Sequence, residues 1–332
     1  MAPDDPLADF EAERPRLFGL AYRMLGSAED AEDVVQDAFL RWNGVDRARV
    51  LWPSAWLAKV VTNLCVNRLT AASAQRERYV GPWLPEPVLT GGGALGPLET
   101  AEQRESVSFA LLVLLERLTP AERAVFVLRE AFGYAHRDVA EVLELSEVNC
   151  RQLHRRARQR LREPGAPGQH GPERPAQEQH GRERGPDGVR PRFTPEHRQR
   201  TALLERFLAA AGDGDLPGLE RLLSADVVSW ADGGGEIGAA RRPVLGRDRV
   251  ARYLAGGVER FARHARWQIA EINGEPAVLG LVDDDVLGVL VPEVTQGRIS
   301  ALRIVASPRK LAFLTRQLAG PSRSGGLAGP NG

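Results

Sequence analysis

Residues 119–163 read TPAERAVFVLREAFGYAHRDVAEVLELSEVNCRQLHRRARQRLRE, and this stretch sets the architecture of the middle of the chain. Thr119, Pro120 and Glu122 predict a helix start, with threonine as the N-cap, proline in the first turn and glutamate three positions on. The helix ends at Gly133, a short helix covers HRDVAEVLEL, and Ser146 caps a third helix. Helix, glycine turn, short helix, tight turn and basic helix is the helix-turn-helix pattern.

The third helix of this pattern, 146–163, carries six arginines against two glutamates. Its apolar positions, which predict the buried side, are Val148, Leu153, Ala157 and Leu161. The polar positions left for the other faces are Glu147, Asn149, Arg151, Gln152, Arg155 and Arg156. In a helix-turn-helix, residues near the start of such a helix reach base edges, and later arginines meet phosphates. The alternative interpretation is a basic amphipathic surface helix.

A second informative stretch, Asp30 to Trp42, reads DAEDVVQDAFLRW. Its apolar stripe consists of Val34, Val35, Ala38, Phe39 and Trp42. The other faces carry Asp30, Glu32, Asp33, Gln36 and Asp37. The charges alone favour a solvated acidic face, which would also suit a basic protein partner.

The helix predicted for 52–72 has a different polar face. Lys59, Asn63, Asn67 and Arg68 follow at helical spacing and share one side. Trp56, Val60 and Leu64 predict the buried side, with Leu57 and Val61 as further candidates. A cation, two amides and an arginine next to aromatic residues could hold a phosphate backbone and unstacked bases. The alternative is an ordinary surface helix.

Composition bounds the function without deciding it. The chain has 332 residues with 44 basic and 44 acidic side chains, so its formal net charge is zero. The charges are nevertheless segregated, because 1–37 is acidic whereas 38–80 and 146–162 are basic. No run approaches the roughly 18 apolar residues that span a bilayer, and the acidic N-terminus lacks a signal-peptide core, so we expect a cytoplasmic protein without membrane contact. Two distant cysteines predict neither disulfides nor a metal site.

The chain divides into three folded blocks separated by Gly/Pro-rich or polar segments. Helical blocks are predicted at 7–80 and 105–163, and an α+β block at 195–318, where the period-two runs 277–282, 286–291 and 298–305 indicate strands. Residues 81–104 form a linker containing WLPEPV, whereas 164–194 and the tail 319–332 are predicted to be disordered.

Together the two helical blocks resemble a bacterial RNA polymerase sigma factor of the extracytoplasmic-function (ECF) class. Residues 30–40 look like region 2.2, 56–69 like regions 2.3 and 2.4, and 119–157 like region 4. The resemblance implies core RNA polymerase and promoter DNA as partners. Core polymerase would bind Asp30, Glu32, Asp33, Gln36, Asp37 and Phe39. The −10 element would be read by Arg47, Arg49, Trp52, Trp56, Lys59, Asn63, Asn67 and Arg68. The −35 element would be read by Arg137, Glu147, Asn149, Arg151, Gln152, Arg155 and Arg156.

The third block is similar to a SnoaL-like (NTF2-like) α+β cone, which implies the subgroup numbered 41, where this domain is fused to the sigma domains. WLPEPV in the linker and DGGG at 232–235 carry that similarity. The subgroup's Asn-Pro-Asp-Lys segment is Ser307–Lys310 here and keeps only proline and lysine. The resemblance implies that the domain tunes activity in place of a separate anti-sigma factor. Our hypothesis is docking through Trp83, Leu84, Pro85, Glu86, Pro87, Asp232, Gly233, Gly234 and Gly235.

An enzymatic reading of the third block needs a carboxylate or histidine in an apolar pocket. The candidates are Asp226, Asp232, His264, Asp283, Asp284 and Asp285. No acid–base pair stands out and the three adjacent aspartates predict a hairpin turn, so we expect no catalysis, cofactor or metal. The sequence leaves open whether the cone binds a small ligand. The free chain is expected to be a monomer. The competing function is a DNA-binding repressor fused to a ligand-binding or enzymatic SnoaL-like domain.

Overall fold

The computed structural model describes residues 6–76, 79–90, 107–163, 195–261 and 264–320. The predicted disorder of 164–194 and of the tail beyond Gly320 lies outside these residues, as do the linker residues 91–104. Ala319, predicted as the first residue of the tail, is instead the last residue of a helix that Gly320 caps.

The first helical unit consists of α1 (Pro6–Leu25), α2 (Ala28–Gly44), a 3₁₀ turn (Arg47–Arg49) and α3 (Pro53–Arg76). Gly26 has φ of +68° between α1 and α2, and Ser27 caps α2 by accepting a hydrogen bond from the amide of Asp30. Tyr22, Met24 and Trp42 are among its largest fully buried side chains.

The buried side of α3 differs from the predicted one. Leu57, Val61 and Cys65 are at most 1% exposed, whereas Trp56, Val60 and Leu64 are only partly buried against the same core. The predicted stripe was off by about one position around the helix, because the core covers Leu57 and Val61, the further candidates, more fully than Trp56 and Val60.

The second helical unit contains α4 (Phe109–Leu115), α5 (Pro120–Phe126), a π-helical turn (Val127–Ala131), α6 (His136–Leu143) and α7 (Glu147–Arg162). Thr119 and Glu122 form the predicted capping box, and Ser146 caps α7. The helix-turn-helix is therefore confirmed. Val148, however, is 64% exposed, and Cys150, two positions further along, takes the buried position at the start of α7.

The C-terminal unit is α+β, as predicted. A six-stranded sheet has the order β2-β1-β6-β5-β4-β3, in which β1 and β6 are parallel and the other neighbours are antiparallel. Its strands are β1 (Leu223–Asp232), β2 (Val244–Leu245), β3 (Arg266–Ile272), β4 (Glu275–Val282), β5 (Asp285–Thr295) and β6 (Arg298–Val305). Its helices are α8 (Pro195–Gly212), α9 (Leu216–Leu222), α10 (Arg247–Phe261) and α11 (Pro308–Ala319).

The units share their apolar cores. Phe313 of α11 joins the core of the helical units, where its ring stacks on Phe18 at 5.5 Å between centroids. In the opposite direction, Leu84 of the linker and Phe109 and Val113 of α4 belong to the core under the sheet. The C-terminal unit is thus packed against both helical units and is not tethered through the chain alone.

Candidate functional site

The linker runs as a buried extended segment between α2 and the sheet. The amide of Glu86 donates to the carbonyl oxygen of Gly26 at 2.9 Å, and Leu89 forms an antiparallel bridge with Ile272. Leu84 and Val88 are at most 2% exposed. The linker is therefore held by the first helical unit at Glu86 and by the C-terminal unit at Leu89, and it connects the two physically.

One end of this segment meets a buried ion pair. The Nζ atom of Lys310 lies 2.7 Å from Oδ2 of Asp232, and Leu84 donates its amide to the same oxygen at 2.9 Å. Lys310 also donates to the carbonyl oxygen of Leu84 and sits 3.4 Å from the centroid of the Trp83 ring. Tyr79 donates its hydroxyl to Oδ1 of Asp232. Burial lowers the pKa of Lys310, and the neighbouring Asp232 opposes that shift.

The glycines after Asp232 are required by close packing. A Cβ atom on Gly233 would lie 2.6 Å from the carbonyl oxygen of Ile237. A Cβ atom on Gly234 would lie 2.5 Å from Oγ of Ser307, and its φ of +65° also favours glycine. A Cβ atom on Gly235 would lie 3.5 Å from Cβ of Val80, the residue before the linker. The Gly-rich loop therefore lies beside the start of the linker and the start of α11.

The other end of the linker caps α2. Oε2 of Glu86 accepts from the amides of Ala28 and Glu29 at 2.7 and 3.1 Å, and Oε1 accepts from Oγ of Ser27 at 2.9 Å. These are the unsatisfied N–H groups of a helix start, where a carboxylate is favoured. Burial raises the pKa of Glu86, against the effect of these hydrogen bonds. The sequence grouped Glu86 with the residues that dock the third block, yet its carboxylate faces the first helical unit.

A buried asparagine that the sequence reasoning missed joins all units. Asn273 donates from Nδ2 to Tyr22 Oη at 2.6 Å and to the carbonyl oxygen of Val107 at 2.9 Å, while its Oδ1 accepts from the Val88 amide at 3.2 Å. Tyr22 in turn donates to the carbonyl oxygen of Glu86. The Asn-Gly pair at 273–274, with φ of 54° and 75°, was a recognisable hairpin signal, but nothing in it indicated the partners.

Further contacts hold the helical units together. Arg123, 2% exposed, donates to the carbonyl oxygen of Met24 and pairs with Glu116 at 3.0 Å. Arg16 donates to the hydroxyl of Tyr134 at 3.1 Å. On the outer side, Arg316 of α11 pairs with Glu29 at the start of α2, at 2.6 Å.

The acidic residues predicted to bind polymerase lie along α2, and some have partners. Arg68 of α3 pairs with Asp30 at 3.1 Å and Asp33 at 2.9 Å. Glu32 pairs with Arg14 at 2.6 Å, and burial raises the pKa of Glu32. Gln36 and Asp37 are exposed. Phe39 is half-buried, with its ring 5.0 Å from that of Phe10.

The residues predicted to read the −10 element lie around the start and one side of α3. Arg47, Arg49 and Trp52 are exposed, with Trp52 at 76%. Trp56 packs on Trp42, whereas Asn63 is half-buried and Asn67 is exposed. Lys59 pairs at 3.0 Å with Glu144, which ends α6 of the other helical unit in a left-handed conformation. The two helical units therefore meet at one of the predicted DNA readers.

The residues predicted to read the −35 element lie on α6 and α7. Arg137 is exposed on α6, and the exposed residues of α7 are Asn149, Arg151, Gln152, Arg155 and Arg156. Arg151 pairs with the half-buried Glu147 one turn earlier, at 2.6 Å. The structure thus gathers this set on the outer side of the helix-turn-helix.

The candidates for catalysis are not brought together. Asp283 and Asp284 form the exposed turn between β4 and β5, Asp285 is the exposed first residue of β5, and Asp226 and His264 are exposed elsewhere. Asp232 is engaged by Lys310 and the linker. Among the described residues, no group of three histidine, cysteine or acidic side chains could hold a metal ion. No helix of the described chain is long and apolar enough to cross a membrane.

A helical unit with an acidic α2 and a polar α3, followed by a helix-turn-helix, defines a sigma-70-type transcription factor, here carrying an α+β unit. Residues 10–75 match the family model "Sigma-70 region 2" and residues 108–161 match "Sigma-70, region 4". The ECF RNA polymerase sigma factor SigJ of Mycobacterium tuberculosis is 36% identical over 92% of this chain and 92% of its own length.

A probable ECF sigma factor of the same organism, SigI, is 30% identical over 96% of this chain and all of its own length. The crystal structure of SigJ matches with a TM-score of 0.67 and 34% identity, covering 92% of this chain and 98% of that one. The chain belongs to the ECF RNA polymerase sigma factors. It is accordingly a transcription regulator, and its helical units are those of a sigma factor and not those of a simple DNA-binding repressor.

Proposed function

We propose that this sigma factor directs core RNA polymerase to promoters and that its C-terminal unit tunes this activity through the linker. The acidic side of α2 binds the polymerase, α3 reads the −10 element, and α6 and α7 read the −35 element. Action together with polymerase implies a cytoplasmic protein. We expect the free chain to be a monomer.

The observation that carries the regulatory part is the division of the linker between two partners. Trp83 and Leu84 enclose Lys310 and Asp232 of the C-terminal unit, whereas Glu86 caps the polymerase-binding helix α2. Only Pro85 separates Leu84 from Glu86, so a shift of the C-terminal unit moves the N-terminus of α2. Any signal that reaches the C-terminal unit has a short path to the polymerase-binding surface.

The contact between the helical units supports the same proposal. Lys59 of α3 pairs with Glu144, and Arg16 of α1 donates to Tyr134, so both of these helices of the first helical unit are held against the second. The distance between the DNA-reading helices α3 and α7 then stays constant while the C-terminal unit is docked through Phe313 and Asn273. Because promoters present the two elements at a set spacing, a change in this separation changes which promoters are used.

Run-off transcription with added core polymerase tests the proposal on a library of genomic promoter fragments. The full chain is compared with Asp232→Asn and Trp83→Ala, and with Asp226→Asn as a control on an exposed residue of the same strand. We expect initiation by the wild type and a change of about fivefold or more in transcript yield for the first two variants, at unchanged fold by circular dichroism.

Two results would count against the proposal. Absence of initiation by the wild type at every fragment would contradict promoter-directed function. Unchanged yields for both Asp232→Asn and Trp83→Ala would contradict the regulatory part alone.

A further inference from the structure

A basic groove lies on the second helical unit between the start of α6 and the length of α7. It has a volume of about 740 Å³, and its lining includes His136, His154 and a stripe of arginines. The stripe consists of Arg151, Arg155, Arg158 and Arg162. These positions recur every three or four residues and so share one side of the helix. Of these four, only Arg151 has an ion-pair partner among the described residues, and Glu163 is the one carboxylate of the lining, so the groove carries an excess of positive charge.

Two histidines and a carboxylate form a chain beside this stripe. Nε2 of His154 lies 2.8 Å from Oε1 of Glu130, and Nδ1 of His154 lies 3.3 Å from Nε2 of His136. An ionised carboxylate only accepts hydrogen bonds, so Nε2 of His154 carries its proton and Nδ1 is left as an acceptor. His136 must then donate from Nε2. Its Nδ1 is left without a proton while the ring is neutral.

The surroundings of His136 favour the neutral form of its ring in the free protein. Burial, Arg129, His154 and Arg151 lower the pKa of His136, and Glu147 opposes them. Arg129 and Glu130 come from the π-helical turn, whereas Glu147, Arg151 and His154 come from α7. On α6 itself, Arg137 pairs with Asp138. Lys59 of α3, which also packs against the second helical unit, pairs with Glu144 at the end of α6 opposite to His136.

We propose that this groove seats phosphate groups of the DNA backbone and that His136 binds one of them with a proton taken up at Nδ1. The inference rests on the proposed function insofar as the second helical unit binds duplex DNA. In a helix-turn-helix the first helix crosses the backbone, and His136 is its first residue here. The added proton gives the ring two donors, with Nε2–H still on His154 and Nδ1–H on the phosphate. Arg151 and Arg155 of the groove are also among the residues predicted to read the −35 element, whereas His136, His154, Arg158 and Arg162 are not.

The sign of the coupling follows from the charges. A phosphate beside His136 favours the imidazolium, so binding raises a pKa that is low in the free protein. Between the two pKa values the complex holds more protons than its separate components. Affinity for DNA therefore rises as the pH falls through that window.

Calorimetry with the full chain and a short DNA duplex of unrelated sequence at low salt tests the proposal. Phosphate contacts are independent of sequence, so no promoter is needed. Titrations in buffers of different ionisation enthalpy give the protons taken up. We expect the wild type to take up a large part of one proton near neutral pH, and to bind about fivefold to tenfold more tightly at about pH 6 than at about pH 8.

Three variants make the result specific. His136→Asn should abolish the uptake attributed to this site and flatten the pH dependence. Glu130→Gln lets an amide donate to Nε2 of His154, which reverses the chain and places the donor on Nδ1 of His136 without an added proton; uptake should fall while binding at high pH is kept. His264→Asn, an exposed histidine of the C-terminal unit, should behave as the wild type.

Proton uptake by His136→Asn equal to that of the wild type would overturn the proposal, as would binding of the wild type with no uptake. Proton uptake that persists undiminished in Glu130→Gln would overturn the role of the hydrogen bonds that link Glu130, His154 and His136. Failure of run-off transcription with normal proton uptake would instead contradict promoter-directed function and leave the phosphate site standing.

Discussion

The side chain of Lys310 makes several buried contacts between the C-terminal unit and the linker. It is 5% exposed, and its ammonium group is satisfied by Asp232, the Leu84 carbonyl oxygen and the Trp83 ring. The pair is fully enclosed, so neither partner can be hydrated if the other is removed. Breaking a buried ion pair in this way costs far more than the pair itself contributes.

We expect Lys310→Met to lower the free energy of unfolding by about 3–5 kcal/mol, because Asp232 keeps its charge and loses its counterion. Urea denaturation followed by tryptophan fluorescence measures the change. The control is Arg309→Met at the neighbouring residue, whose side chain is 86% exposed and pairs with Glu236; it should change stability by less than about 0.5 kcal/mol. Equal losses of unfolding free energy in both variants would show that the buried ion pair contributes no more to stability than the exposed one.

At the scale of elements, the start of α2 depends on a residue outside its own helix. Ser27 is a local N-cap, but the amides of Ala28 and Glu29 are satisfied by Glu86 across 58 and 57 residues of sequence. The start of α2 is thus completed by the linker. Its stability therefore reports on the position of the linker.

Glu86→Gln should destabilise this helix start by about 1 kcal/mol, since the amide lacks the negative charge that the helix dipole favours. Hydrogen exchange should show faster exchange at the amides of Ala28 and Glu29 than in the wild type. Glu141→Gln, an exposed change on α6, provides the matched control and should leave these amides unaffected. Unaltered protection in Glu86→Gln would mean that the linker does not stabilise α2.

At the scale of the whole molecule, the shared cores make the C-terminal unit part of the structure of the helical units. Leu84, Phe109 and Val113 are at most 4% exposed because the sheet covers them. Phe313 and Asn273 reach in the opposite direction. Displacement of the C-terminal unit consequently exposes apolar surface on the linker and on α4.

A truncation to residues 1–194 should lower the thermal unfolding midpoint of the helical units and increase binding of a hydrophobic dye. Each of Leu84, Phe109 and Val113 loses burial worth about 1.5–3 kcal/mol. Differential scanning calorimetry of the truncated and full chains measures the shift. An unchanged midpoint, with no added dye binding, would mean that the units are energetically independent.

The local signals in the sequence were sufficient for much of the fold. The capping box at Thr119, the cap at Ser146, the helix-turn-helix and the hairpin strands at 277–291 each depend on residues a few positions apart. Asp232 and Trp83 were singled out through resemblance, and they do meet around Lys310. The buried side of α3 and the position of Val148 were mispredicted, since tertiary packing chooses between adjacent apolar stripes.

The sequence by itself determined the class of protein, because caps, turns and charge patterns are encoded over short spans. Only the tertiary structure decided the partners of the linker. Asn273 bonds Tyr22 across 251 residues, Lys310 bonds Leu84 across 226, and Glu86 reaches α2 across 58. Such contacts follow no periodicity or spacing in the sequence. They depend on how three units, each with its own local sequence pattern, pack against the linker.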